Sequence, residues 1–102
     1  MMTRNYKEDL YSELKDPEFA SGYLSECFNL GREEFLLGLK EVVEANGGIG
    51  LLAKNTHLNR ENLYTLLSEK GNPRLDSLTQ VLDALNLRLQ FAPKINKERE
   101  AA

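Results

Sequence analysis

Apolar residues recur at spacings of three and four along most of this chain, and the gaps between those runs hold residues that start or stop helices. Phe19, Ala20, Tyr23, Leu24, Cys27 and Phe28 form one such stripe, which predicts a helix over 17–29 with that face on a core. Asp16-Pro17-Glu18 opens it: the Asp carboxylate can accept from free amides, and Pro at the first helical position loses no needed hydrogen bond. A second helix is expected from about Gly31, with Phe35, Leu36, Leu39, Val42 and Val43 inward and Asn46-Gly47-Gly48 as its stop. Two short helices follow, IGLLAKNT and RENLYTLLSE, joined by the turn HLN and closed by Lys70-Gly71-Asn72-Pro73. Asp76, capping with its own carboxylate, is expected to open another helix, whose buried stripe is Leu78, Val81, Leu82 and Leu85. From Leu87 the period drops to two in Leu87-Arg88-Leu89-Gln90-Phe91, the pattern of a half-covered strand. Its partner would be the same segment of another subunit; otherwise these residues form an extended tail.

The pattern therefore predicts an all-α bundle of about five helices with a short C-terminal strand or tail. It places N-terminal helices within 6–46, a short helical pair over about 48–68, and a polar tail over 93–102. The stretches before Tyr6 and from residue 96 onward are expected to fray. With 102 residues and 41% hydrophobic content, the chain fits one domain, 1–102. No run approaches the ~20 apolar residues that a membrane helix needs, and the opening residues are charged. A cytoplasmic protein without membrane contact is expected. Cys27 is the one cysteine; its apolar neighbours suggest a structural thiol rather than a reactive one.

The net charge of −3 is unevenly spread. Residues 1–52 carry five Lys/Arg against ten Asp/Glu, or −5, and residues 53–102 carry eight against six, or +2. Within 53–74 stand Lys54, His57, Arg60, Lys70 and Arg74, against Glu61 and Glu69. A locally basic edge on an acidic chain suits phosphate contact. The acidic front half is either a solvated surface or a docking face for a basic partner.

The short helical pair meets the demands of a helix-turn-helix. Ala53 is small at the crossing, Leu52 points inward beside it, Leu58 closes the turn, and Leu63 and Leu66 anchor the second helix. These anchors leave Asn59, Arg60, Glu61, Tyr64, Thr65 and Ser68 outward. The chemistry of that face suits base edges: Arg60 for guanine, Asn59 for adenine or as a helix cap, Glu61 for cytosine, Tyr64 and Thr65 for a thymine methyl or a phosphate. Lys54, Lys70 and Arg74 are candidate phosphate contacts, and Gly48 opens the first short helix, whose free amides suit a phosphate. The competing reading is the wet side of an ordinary helical hairpin.

Residues 50–91 resemble the lambda-repressor-like (Xre-type) helix-turn-helix domain, and within it the addiction-module antidote proteins of the HigA-like group. The resemblance rests on NRENLYTLLSEKGNPRLDSLTQVLDALNL, with Arg60, Glu61, Leu63, Tyr64, Leu66, Gly71, Asn72, Pro73, Leu78, Val81, Leu82, Ala84 and Leu85 in matching places. Tyr6, Leu10, DPEFASGYLSECF and EFLLGLKEVVEANGG extend it over nearly the whole chain. It implies a bacterial or phage-derived antitoxin and transcriptional regulator that binds operator double-stranded DNA as a homodimer, represses its own operon and neutralises a RelE-like ribonuclease. Two positions depart from the group. His57 stands where a turn glycine is usual, which predicts a strained turn, and Ile49 stands where related repressors place a phosphate-contacting Gln.

No Gly-rich phosphate loop follows a strand, no nucleophile has a plausible base, and the single His has no ligand-spaced companions. An enzyme, a metal site and a cofactor are therefore not expected. The remaining alternatives are a protein-interaction module that has lost DNA binding and a free-standing regulator with no toxin partner.

Overall fold

The computed structural model describes residues 6–68 and 70–95, which form six helices. These are α1 (Tyr6–Leu14), α2 (Pro17–Leu30), α3 (Arg32–Ala45), α4 (Gly48–Asn55), α5 (Arg60–Leu67) and α6 (Leu75–Ala84). Asp16 caps α2 as its sequence predicts, accepting from the Glu18 amide at 3.0 Å, with Pro17 at the first helical position. The expected count of about five is short by α1, whose apolar positions Leu10, Tyr11 and Leu14 span barely one turn and carry little periodic signal.

Helices α2 and α3 make an antiparallel hairpin about Gly31. Phe28 meets Phe35, Cys27 meets Gly38 and Tyr23 meets Glu41, so the two chains run past each other in opposite directions. Gly38 is what permits the close approach: a Cβ there would lie 2.8 Å from the Cys27 sulfur. Helix α1 lies along the far end of α3. The Tyr11 hydroxyl donates to the Glu44 carboxylate, and the Asn46 side-chain amide donates to the Leu14 carbonyl at 3.1 Å and the Val42 carbonyl at 2.8 Å. The same Asn46 thus closes α3 and holds the end of α1.

Gly47 and Gly48 turn the chain from α3 into α4 with φ of +108° and +84°, a region that costs most L residues strain and glycine almost none. Helices α4, α5 and α6 then complete a core shared with α1–α3: Leu14, Leu24, Leu39, Val42, Val43, Leu52, Leu63, Leu66, Leu67, Val81 and Leu82 are all buried in one cluster. No polar or charged residue is buried among the described residues.

Several expectations are corrected. The α2 stripe is narrower than predicted: Ala20 and Leu24 are buried and Tyr23 and Cys27 half-buried, whereas Phe19 and Phe28 are exposed, Phe28 packing on Phe35 at the rim. The neighbouring α3 and α1 cover only part of a six-residue apolar face. Helix α6 begins at Leu75, because the Arg74 carbonyl already accepts from the Leu78 amide at 2.9 Å. Asp76 therefore sits in the first turn, where its charge favours the helix dipole, and the cap residue Arg74 makes no side-chain cap bond. Residues 87–91 form no strand within the single chain, which leaves the two alternatives of an extended tail and a pairing between subunits. Asn86 ends α6 in the left-handed conformation (φ 62°), and the Leu87 amide turns back to the Leu82 carbonyl at 2.8 Å, which satisfies helix-end carbonyls and leaves the following residues without a ladder. The stretches expected to fray, 1–5 and 96–102, lie outside the described residues.

No helix among the described residues is long and apolar enough to cross a membrane.

Candidate nucleic-acid interface

The site is built from α4, α5 and the segments on either side of α5. Leu52 is buried and Ala53 half-buried, and α5 seats Leu63, Leu66 and Leu67 in the core. The two helices are joined by residues 56–59. Thr56 organises this turn: its hydroxyl donates to the Leu52 carbonyl at 2.9 Å and accepts from the Leu58 amide at 3.2 Å. The His57 amide donates to the Gln80 side chain of α6 at 3.3 Å, so the turn is fastened to the neighbouring helix. Among the described non-glycine residues only Asn86 has positive φ. The strain expected at His57 is therefore absent; Thr56, extended at φ −127° and ψ 178°, carries the change of direction instead.

Asn59 caps α5, its Oδ1 accepting from the Asn62 amide at 2.8 Å. Of its two expected roles, the cap is the one occupied here, and it commits the oxygen that pairing with adenine would use. Arg60, Glu61, Tyr64 and Thr65 are all exposed on α5, with Glu61 and Thr65 on the side opposite Leu63 and Leu66, and Tyr64 is 62% exposed. Ser68 is also exposed but lies past the helix, which ends at Leu67 rather than continuing to residue 69. Ser68 is the C-cap, in extended conformation, and its hydroxyl donates to the Thr65 carbonyl at 2.9 Å. It therefore shares the surface with α5 without sharing its helical register.

Arg60 is drawn toward α4. Its guanidinium lies 3.1 Å from where a Cβ on Gly50 would stand, which brings a fixed positive charge to the opening turn of the helix that Gly48 begins. Lys54 is exposed in the last turn of α4, while Lys70 and Arg74 are exposed in the connection between α5 and α6. The arrangement offers exposed cations on both flanks of α5 and a mixed donor–acceptor face between them, chemistry suited to phosphates outside and base edges within. Two contributors escaped the reading of the sequence: Gly50, which gives Arg60 room, and Gln80, which holds the turn. Both act across more than nine residues, and no local pattern marks them.

The groups with perturbed ionisation sit elsewhere, on α1–α3. Burial, reinforced by Glu41, pushes the Tyr23 hydroxyl well above its ordinary range, and Tyr23 donates to Glu41 at 2.6 Å. Burial also pushes the Cys27 thiol up, in keeping with a half-buried packing residue against Gly38. No cluster of three or more His, Cys, Asp or Glu able to hold a metal occurs among the described residues.

A family model described as "Probable addiction module antidote protein" matches residues 5–93. The chain belongs to this antidote family. It is also similar to an uncharacterised protein of Haemophilus influenzae, 30% identical over 90 residues, a match covering 87% of this chain and 93% of the relative. No solved structure matches. The match to the antidote family runs through all six helices. The acidic α1–α3 region therefore belongs to the antidote unit as much as the α4–α5 pair does.

Proposed function

We propose that this antidote-family protein is the antitoxin of a type II toxin–antitoxin module, cytoplasmic and not an enzyme. In this reading α4 and α5 are an Xre-type, lambda-repressor-like helix-turn-helix that binds operator double-stranded DNA as a homodimer and represses its own operon. The partner it neutralises is a RelE-like ribonuclease. The observation that carries the DNA half is the outward face of α5. Glu61, Tyr64 and Thr65 stand clear of a core that Leu63, Leu66 and Leu67 already satisfy, so packing places no demand on what they are, and Arg60 is exposed beside them over Gly50. Their chemistry is free to match base edges while Lys54, Lys70, Arg74 and the α4 opening at Gly48 meet phosphates. The toxin half is supported by family membership and by charge. Glu13, Asp16, Glu18, Glu33 and Glu34 are exposed on α1–α3 and its joints, a surface complementary to a basic nuclease.

A protein-interaction module without DNA is the second reading. It is favoured by the commitment of Asn59 and Ser68, two of the candidate base readers, to bonds within the chain, and by a net charge of −3.

Fluorescence anisotropy against the protein's own upstream DNA and a scrambled duplex, at low and moderate salt, separates them. Operator recognition gives preferential binding that weakens steeply with salt; Arg60→Ala costs about 1–3 kcal/mol and Lys54→Gln lowers the salt slope by about 1. Equal, weak binding to both duplexes refutes the operator reading in favour of the second.

A further inference from the structure

We propose that residues 87–91 pair with the same segment of a second copy of this chain, as an antiparallel two-stranded ribbon centred on Leu89. This deepens the dimeric operator reading by naming the partner surface, although its physical argument stands without DNA. The segment leaves the core in a fixed direction, because Asn86 is left-handed at φ 62°, the Leu87 amide is bonded to the Leu82 carbonyl at 2.8 Å, and Leu87 packs against the core. Beyond Leu87 no backbone–backbone hydrogen bond involves residues 88–95 among the described residues. Leu89 and Phe91 are 47% and 95% exposed. Strand-like alternation with an unladdered backbone and exposed apolar side chains is an edge without its neighbour.

The self-complementarity of the segment selects a second copy as that neighbour. In an antiparallel pair centred on Leu89, Leu87 faces the partner's Phe91, Leu89 faces the partner's Leu89, and Arg88 faces the partner's Gln90. All apolar side chains share one face and no like charges are opposed. The neighbouring registers are worse. A slip of one residue sets apolar positions against polar ones. Centring on Arg88 opposes two arginines directly, which is destabilising. Centring on Gln90 brings in Pro93, which has no amide to give a ladder.

The test uses the full chain with Cys27→Ser, so that introduced thiols report alone. Directly opposed positions lie about 4.5–5.5 Å apart at Cβ and diagonal ones about 7–8 Å, and a disulfide spans only the former. The expected result is a dimer by light scattering at micromolar concentration. Leu89→Cys cross-links with itself under mild oxidation; Arg88→Cys and Gln90→Cys do not cross-link alone but do so when mixed. Leu89→Asp, which opposes two carboxylates, gives a monomer with unchanged helical circular dichroism. A monomeric parent protein, or a dimer in which Leu89→Cys fails to cross-link, overturns the proposal, and so does Arg88→Cys cross-linking by itself as fast. Anisotropy on the same preparations separates the two readings. A monomer that still prefers its operator sinks the ribbon alone, and a cross-linked dimer blind to its operator sinks the operator reading alone.

Discussion

Gly71 and Gly22 differ in what surrounds them, and replacing each with alanine turns that difference into opposite shifts in stability. A Cβ on Gly71 would stand 2.6 Å from the Leu66 carbonyl oxygen, 2.8 Å from that of Thr65 and 2.9 Å from that of Ser68. All three are main-chain atoms at the end of α5, so relief requires moving backbone rather than a side-chain tip. The Gly71 amide is itself bonded to the Ser68 carbonyl at 2.8 Å, which removes the easiest direction of movement. Overpacking of this kind costs about 1–3 kcal/mol, and the main-chain character of the clash places Gly71→Ala near about 3 kcal/mol. At roughly 4–8 °C per kcal/mol for a domain of this size, Tm falls by about 12–24 °C. Gly22 lies mid-helix in α2 with nothing within 4 Å of its added Cβ. Gly22→Ala gains about 0.5–1 kcal/mol of helix preference and raises Tm by roughly 2–8 °C. The chain has no tryptophan, so far-UV circular dichroism during thermal unfolding is the suitable assay. A Gly71→Ala protein melting within a degree or two of the parent would refute the tight turn after α5, and a Gly22→Ala protein melting lower would refute the open face of α2.

Asn59→Ala removes the α5 cap and is expected to cost about 1 kcal/mol, whereas Asn59→Asp keeps an acceptor for the Asn62 amide and holds most of the stability; urea midpoints of the three proteins check this. The Tyr11 hydroxyl is pushed up to about 12, mainly by burial and then by its bond to Glu44. The folded protein thus holds this proton more tightly than the unfolded chain, where the group has its ordinary value of 10.0. The resulting stability is present in full below about pH 10 and lost as pH rises toward about 12; urea midpoints measured across that range should fall, and less so in Glu44→Gln.

Helix boundaries were legible wherever a chemical signal stood at the joint. Asp16-Pro17 and Asn46-Gly47-Gly48 mark their ends in the sequence and in the structure alike. Asp76 misled by two residues because the cap whose carbonyl opens α6 is Arg74, and a carboxylate in the first turn resembles one at the cap. The α2 stripe misled at Phe19 and Phe28, since spacing gives the direction of a face and not the width of what covers it. At the candidate interface, the outward set on α5 follows directly from the anchors Leu63 and Leu66. The fold of Arg60 onto Gly50 and the tie from His57 to Gln80 are tertiary contacts with no trace in local periodicity.

The interior joins both halves of the chain and, among the described residues, its buried side chains are leucine, valine and alanine. An interior of this kind is specified by volume and pattern, and aliphatic residues of similar size can replace one another there at modest cost. It makes no bond to the outward residues of α5, so drift inside and innovation outside can proceed independently. A lineage carrying this architecture can rewrite solvent-facing positions of α5 such as Glu61, Tyr64 and Thr65 with no compensating change in the buried scaffold that presents them.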